Sequence, residues 1–584
     1  MNVARAPRWL AVAASLSVVG VGLGWGTFAA GGSDSYCYVS QAHAWLDGTL
    51  LRPQQLDFAA DWPHAAETLA PAGYVPSTHL PGGIAPICPP GFALTLAGAL
   101  AIGGERTLYA VVPVLGGVLV WSTFLWAAAL GGPWVGAASA ILTATSPIAL
   151  YQVVQPMSDI PAAAWWMLAL ALVTLAARPH APAADANDGA GDADVLAISP
   201  RRLVAAGAAM SMAVLTRPNL APTGLVVVAA AWTIRSRSTW RARAGDVLAV
   251  VGGAAPGALA TALAHRAVYG SPVRAGYGDL GALFGTANVV PNLLRYPTWL
   301  VDSQTPLVVA AIGAPFVLRT LQANWRQGPR GARPARPAWM VATGAAFTAS
   351  VVGPYLLYVP FDDWWYLRFL LPALPVVLTL AIVTWAAAIG WATSRLGSQI
   401  ESRFGSWLGS RFGSRRGWLG AVGAPVLLMA LTSALGTHGA RLARDRLAFS
   451  LWRSDRRFVT TGEVVAAKLP ASAVVWSIFH SGNIRLYGHR PTVLWDTLPP
   501  DWLDRSIDAL RAQGRESYLV VESWEEERFR ERFEAASRLG ALDWPPHYRV
   551  GNAVRIFSFA ERDSYFAGTP VPTETIPVFP RRRR

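Results

Sequence analysis

Four charged side chains stand where apolar runs begin or end, and their types suit transfer chemistry on an anionic substrate. Asp34 lies in Gly31-Gly32-Ser33-Asp34-Ser35-Tyr36-Cys37-Tyr38, directly after the first apolar run at 9–30. A carboxylate this close to a membrane exit is costly if it meets lipid, so it is expected to face a polar cavity. Asp159 lies in Gln155-Pro156-Met157-Ser158-Asp159-Ile160-Pro161, just ahead of another apolar run. Two acids beside two spans can act as a general-base pair; alternatively, their oxygens can ligate a divalent ion. Each also has a plainer reading as a helix N-cap, Asp34 at the start of an amphipathic segment and Ser158 or Asp159 ahead of Pro161. Arg217, in Thr216-Arg217-Pro218-Asn219, and Arg368, in Tyr366-Leu367-Arg368-Phe369, sit at the outer ends of later runs. Guanidinium groups there suit a phosphate at headgroup depth, with snorkelling to the interface as the simpler alternative. His43, His64 and His79 are isolated loop residues, and none is assigned a role.

These residues need a scaffold, and composition says which kind. Of 584 residues, 53% are hydrophobic and 14% charged, a balance that belongs to a polytopic membrane protein with a soluble appendage. The net charge of +14 comes from arginines lying mostly between apolar spans, which is a topology signal and not a nucleic-acid surface. Apolar runs near 9–30, 107–130, 133–150, 161–177, 203–216, 219–234, 246–268, 299–318, 338–358, 367–390 and 418–436 predict about eleven transmembrane helices. The stretch 89–103 is short for a span and is placed on the membrane surface. With the N-terminus cytoplasmic, the cytoplasmic segments hold nineteen arginines and the short outer loops five (Arg52, Arg106, Arg217, Arg274 and Arg295), a clear positive-inside bias. The long loop 31–106 then lies outside with Asp34, Asp159, Asp279, Asp362 and Asp363. Cys37 and Cys88 share that loop, which leaves a disulfide and two small buried residues as alternatives; no CxxC pair supports a cysteine metal site.

Residues 180–194 and 394–417 read as connective segments, and Arg581 to Arg584 as a solvated tail. The chain changes character after 437. Val474–Ile478, Tyr518–Val521 and Ala553–Phe557 read as short buried strands, with helical patterns at 501–513 and 524–537 between them. The expected fold is therefore a transmembrane domain at 1–437 carrying the large outer loop, followed by an extracytoplasmic α/β domain at 438–584.

Four stretches carry a family resemblance: Asp34 to Tyr38 with Ala42 to Gly48; Cys88-Pro89-Pro90-Gly91-Phe92; Leu142 to Pro147 with Tyr151 and Asp159 to Ala164; and Tyr366 to Pro375. Over about 1–390 the chain resembles the GT-C superfamily of integral-membrane glycosyltransferases, in the branch of the protein O-mannosyltransferases and the lipid A aminoarabinose transferase. The resemblance implies a GT-C-like fold in the cytoplasmic membrane and a polyprenyl-phosphate sugar as donor. It implies transfer to a lipid, glycan or protein acceptor outside. By position, Asp34 becomes the general base, Asp159 orients acceptor or base, and Arg217 and Arg368 hold the donor phosphate. No cofactor is firmly implied, a divalent metal stays open, and the partners are membrane lipids, donor and acceptor, with no nucleic acid. The alternative is a transporter or a lipid- or glycan-binding membrane protein without chemistry. Against it, no acidic or basic residue of the transporter kind sits in mid-membrane.

Overall fold

Backbone in lipid must satisfy its own hydrogen bonds, so long apolar runs fold as helices. The computed structural model describes residues 5–54, 56–179, 196–235, 238–278, 280–317, 337–412 and 423–578. Among the described residues six helices are long and apolar enough to cross a membrane: Ala6–Trp25, Pro90–Gly131, Asp159–Ala176, Trp240–Tyr269, Leu374–Leu396 and Ala424–Asp445. A seventh span forms if Pro133–Thr145 and Pro147–Val153, bent by 59° at Ser146, are counted as one. The protein is thus a multi-pass membrane protein.

The difference from the eleven spans predicted has local causes. The run at 219–234 starts as a 3-10 turn, Pro218–Thr223, before the short helix Gly224–Thr233. The run at 299–318 is cut at Thr305, whose φ of 66° no helix accepts, leaving Val289–Gln304 and the 3-10 segment Pro306–Gly313. Proline at 218, 222 and 306 removes the amide donors that would carry an α-helix through. The stretch 90–102 is a helix of its own. It is separated from 105–131 by non-helical backbone at Gly103 and Gly104, the latter at φ 70°, where a side chain would be strained. One expectation is corrected: 394–412 is not a loose linker, because the helix from Leu374 continues to Phe412, and 413–417 lie outside the described residues. The segment 180–194, Asp279 and the terminal arginines lie outside the described residues.

After Ala424–Asp445 the chain enters an α/β unit opened by the helix Leu451–Lys468. Its six-stranded sheet runs, edge to edge, 574–576, 548–550, 554–558, 516–522, 473–476 and 492–493. The strand 516–522 pairs in parallel with 473–476 and antiparallel with 554–558, the register setting Ile556 opposite Val520. The strands at 473–476, 516–522 and 554–558 are those the sequence marks, and the helices Leu503–Ala512 and Ser523–Phe533 fall between them as expected.

Alternation of side chains along the strands gives the sheet two buried faces. Val475, Val520 and Ile556 pack on Val464 and Val465 of Leu451–Lys468. Val474, Trp476, Leu519 and Phe557 face Trp495, Phe529 and Phe533. The second face also takes in Phe58, Trp62 and Leu69 from the first outer loop, more than 400 residues away in sequence, with Trp62 against Trp476 at 6.2 Å. The loop is tied on by backbone too: the Leu494 amide donates to Thr68 O at 2.6 Å and the Ala72 amide to Ser481 Oγ at 3.0 Å. The outer loop and the C-terminal unit therefore share one core. Burying an aromatic residue of this size contributes several kcal/mol. Trp62→Ala is expected to cost about 3 kcal/mol, read as a lowered melting temperature of the detergent-solubilised protein; an unchanged melting point would show that the shared core is not stabilising.

Candidate active site

Asp34 sits in the first turn of the helix Gly32–Leu46, whose N-cap is Gly31. The N-cap reading of Asp34 is thereby corrected: its carboxylate reaches across to Arg368, with Nη2 donating to Oδ2 at 3.0 Å. Tyr38, one turn further along the same face, donates its hydroxyl to Ser158 Oγ at 2.8 Å. Burial pushes the Tyr38 phenol above its ordinary range, so it remains a donor. Ser158 is the N-cap of Asp159–Ala176, but its hydroxyl caps nothing and instead accepts from Tyr38 and from Arg217 Nε at 3.2 Å. The Asp34 helix is pinned to its neighbour by the disulfide Cys37–Cys88, one turn after Asp34, which joins it to the start of the helix at Pro90. Of the two cysteine alternatives, the bonded one is realised. Intact denatured protein should take up no maleimide before reduction and two equivalents after it, and uptake without reductant would refute the pairing.

The glycine pair ahead of Asp34 has a packing reason. A side chain on Gly31 would run into the ring of Phe458, and Gly32 adopts φ 62° beside Phe479. Both aromatics belong to the C-terminal unit, so this unit abuts the start of the Asp34 helix.

A cavity of about 530 Å³ opens at this junction. Asp34, Ser158, Arg217 and Arg368 line it together with aromatic residues that include Tyr38, Tyr277, Tyr355, Tyr358 and Phe369; Phe479 contributes from the C-terminal unit. Arg368 lies over the rings of Tyr366 and Phe369 at 5.5 and 5.4 Å, a cation–π setting that fixes its plane. Phe369 stacks on Tyr355 at 5.0 Å, and Tyr355 Oη accepts from Asn219 Nδ2 at 2.9 Å.

Three of the four residues singled out from sequence meet at the cavity. Asp159 does not. It is wholly buried behind Ser158, off the cavity wall, because its carboxylate is drawn to Arg217, whose Nη2 donates to Oδ1 at 2.7 Å. The expected pair of acids facing one point is therefore replaced by two acid–guanidinium pairs. Arg217 Nη1, Arg368 Nε and Asp159 Oδ2 are buried without a partner among the described residues. A guanidinium already bound to each acid competes with any cation there. Among the described residues no three His, Cys, Asp or Glu side chains gather to hold a metal. The outer acids serve elsewhere: Asp362 pairs with Arg295 at 2.5 Å, and His43 pairs with Glu105 at 3.0 Å. Tyr38, Ser158 and Asn219 stand in or beside the segments marked from sequence, whereas Phe479 carries no sequence signal because only the docking of the outer unit brings it in.

Phe479 is held by a buried ionic cluster. Glu525 accepts from the amides of Phe479 at 3.2 Å and Glu522 at 2.9 Å, forming a capping box with Glu522. Glu522 accepts from Arg457 Nε at 2.5 Å and lies 3.0 Å from His480 Nε2. Burial keeps His480 neutral by lowering its pKa, and pushes Glu525 up to about 7. A carboxyl raised on folding binds a proton more tightly in the folded state. Its contribution is thus present at low pH and is lost as pH rises from the ordinary glutamate range through about 7. The melting temperature of the protein should fall relative to that of Glu525→Gln between about pH 5 and 7; parallel melting curves across that range would disprove it.

No protein-family model matches the sequence, and no curated protein matches it. Solved structures do. The apo oligosaccharyltransferase of Archaeoglobus fulgidus is 13% identical with a TM-score of 0.50, covering 93% of this chain and 73% of that one. ArnT from Cupriavidus metallidurans, bound to undecaprenyl phosphate, is 14% identical with a TM-score of 0.49, covering 95% and 98%. The arabinofuranosyltransferase AftD from Mycobacteria is 15% identical with a TM-score of 0.48, covering 96% of this chain and 40% of its own. These structural neighbours are GT-C glycosyltransferases, and at such identities the likeness is one of fold.

Proposed function

We propose that this protein is a membrane glycosyltransferase that moves a sugar from a polyprenyl-phosphate donor to an acceptor outside the cytoplasmic membrane. The observation that carries the reading is the meeting of Asp34, Arg217 and Arg368 on one cavity, from segments hundreds of residues apart. Among the described residues lining that cavity Asp34 is the only carboxylate, and its side chain is 40% exposed, enough to meet a substrate. The cavity walls are aromatic and apolar, which suits a sugar ring and the first units of a lipid.

In this mechanism Asp34 takes the proton from an acceptor hydroxyl. The oxygen attacks the anomeric carbon of the donor sugar. The bond from that carbon to the phosphate oxygen breaks, and its electron pair leaves with the polyprenyl phosphate. Arg368 and Arg217 stabilise the charge that gathers on the leaving phosphate, in a site partly shielded from water. Asp159 acts one step back, fixing Arg217 through a buried contact. Two guanidiniums neutralise a phosphate without a resident ion, and no step is assigned to a metal.

The same reading places the N-terminus in the cytoplasm, the transmembrane domain at 1–437 and the unit at 438–584 outside, over the cavity. It assigns the acceptor to the outer side, where Phe479 faces the site. Asp34→Asn is expected to fold normally and to lower transfer by about 10²- to 10⁴-fold, the range for loss of a general base. In cells, both deletion of the protein and Asp34→Asn should accumulate the same polyprenyl-phosphate sugar. Normal lipid-linked sugar levels in both would favour binding without chemistry.

A further inference from the structure

The two arginines are not equivalent. Arg217 is tied to Asp159, which has no exposure, and is bound a second time to Ser158. Its carboxylate partner cannot swing away without leaving a buried charge uncompensated, which is strongly unfavourable. Arg368 is held differently. Its side chain is 16% exposed, with the guanidinium over Tyr366 and Phe369, while its partner Asp34 is 40% exposed in the cavity wall. Asp34 can turn to water at little cost, because a half-solvated ion pair is weak. An anion entering the cavity therefore meets one anchored guanidinium and one whose carboxylate is exchangeable.

We infer that Arg368 is an exchange residue: the donor phosphate takes it from Asp34, and that exchange turns Asp34 into an effective base. This rests on the proposed roles of Asp34 and Arg368. A carboxylate whose oxygen already accepts from a guanidinium has that lone pair occupied and is turned away from an incoming hydroxyl. With no phosphate in the cavity, Asp34 is occupied by Arg368 and ill placed to take a proton. With the donor bound, the guanidinium has a phosphodiester anion to hold, which gains its second charge as the sugar leaves, and Asp34 is released toward the acceptor. Donor binding thus precedes activation of the acceptor hydroxyl. The contact 3.0 Å long between Arg368 and Asp34 is the resting lock, and Arg217 is the fixed half of the phosphate site.

An exchange makes Asp34 a competitor of the donor for one cation, which predicts that losing the catalytic base improves ligand binding. The probe is undecaprenyl phosphate, titrated into the full-length protein in detergent and followed by intrinsic tryptophan fluorescence, with folding checked by melting temperature. Asp34→Asn should bind the probe about three- to tenfold more tightly than wild type. Asp159→Asn should bind it no more tightly, because Asp159 positions Arg217 and does not compete. In an Arg368→Gln background the gain from Asp34→Asn should disappear. If the gain persists there, it is plain relief of repulsion between two anions, and the exchange is overturned. If Asp34→Asn binds no more tightly than wild type while Arg217→Gln and Arg368→Gln bind more weakly, the phosphate site stands and the exchange alone fails. If neither arginine variant weakens binding, the phosphate reading itself fails. Should Arg368→Gln not fold, the contrast between Asp34→Asn and Asp159→Asn decides the matter: equal gains in the two would overturn the exchange.

Discussion

Charge at the edge of a membrane must be paired, and the site is built around that constraint. Asp34 and Arg368 are 334 residues apart in sequence, and Asp159 and Arg217 are 58 apart, yet each pair closes within hydrogen-bond distance. Asp159, with no exposure, is not tolerable alone at this depth, because an unpaired ion in a low-dielectric setting costs several kcal/mol, whereas Asp34 is partly solvated. The pairs thus fix the first outer loop, the start of Asp159–Ala176, the turn at Arg217 and the entry to the helix at Leu374 relative to one another. Tyr38, on the helix that carries Asp34, donates to Ser158, which also accepts from Arg217, and the disulfide Cys37–Cys88 ties the same helix to the start of the helix at Pro90. These ties hold the two pairs in fixed relation, which is what a site needs if two substrates must be aligned.

The outer unit belongs to this arrangement. Its sheet completes one face only with Phe58, Trp62 and Leu69, so the first outer loop cannot fold correctly without it. In return, Phe458 and Phe479 press against Gly31 and Gly32, the residues that lead into Asp34. A path of packing therefore runs from the sheet, through the Glu525–Glu522–Arg457 cluster and Phe479, to the cavity wall. The ionic cluster lies outside the cavity, and its effect on the site is through the place it gives Phe479.

Several features were legible in the sequence because they are set locally. The strands at 473–476, 516–522 and 554–558 follow from β-branched and aromatic runs, and the separate helix at 90–102 from an apolar run too short to span. The arginines and acids stood out because charge beside an apolar run is rare and needs a reason. The number of spans was less legible: hydrophobicity measures partition into lipid, whereas Thr305 and the prolines at 218 and 222 decide whether the helix continues. The helix running to Phe412 was missed because glycine and serine composition argued for a linker.

The sequence by itself determined the class of the protein and the side chains with charge to offer beside its apolar runs. These depend on composition and on the positions of arginines relative to apolar runs, which are one-dimensional properties. Only the tertiary structure decided the pairing. Asp159 read as a second acid for the cavity, but folding gave it to Arg217 and buried it, since a guanidinium within reach outweighs solvent for a carboxylate that is losing its water. Asp34 read equally well as a cap, and became a cavity residue because Gly31 took the cap position and Arg368 came within 3.0 Å. Phe479 could not be read at all, because its place at the site is created by the docking of one folded unit on another.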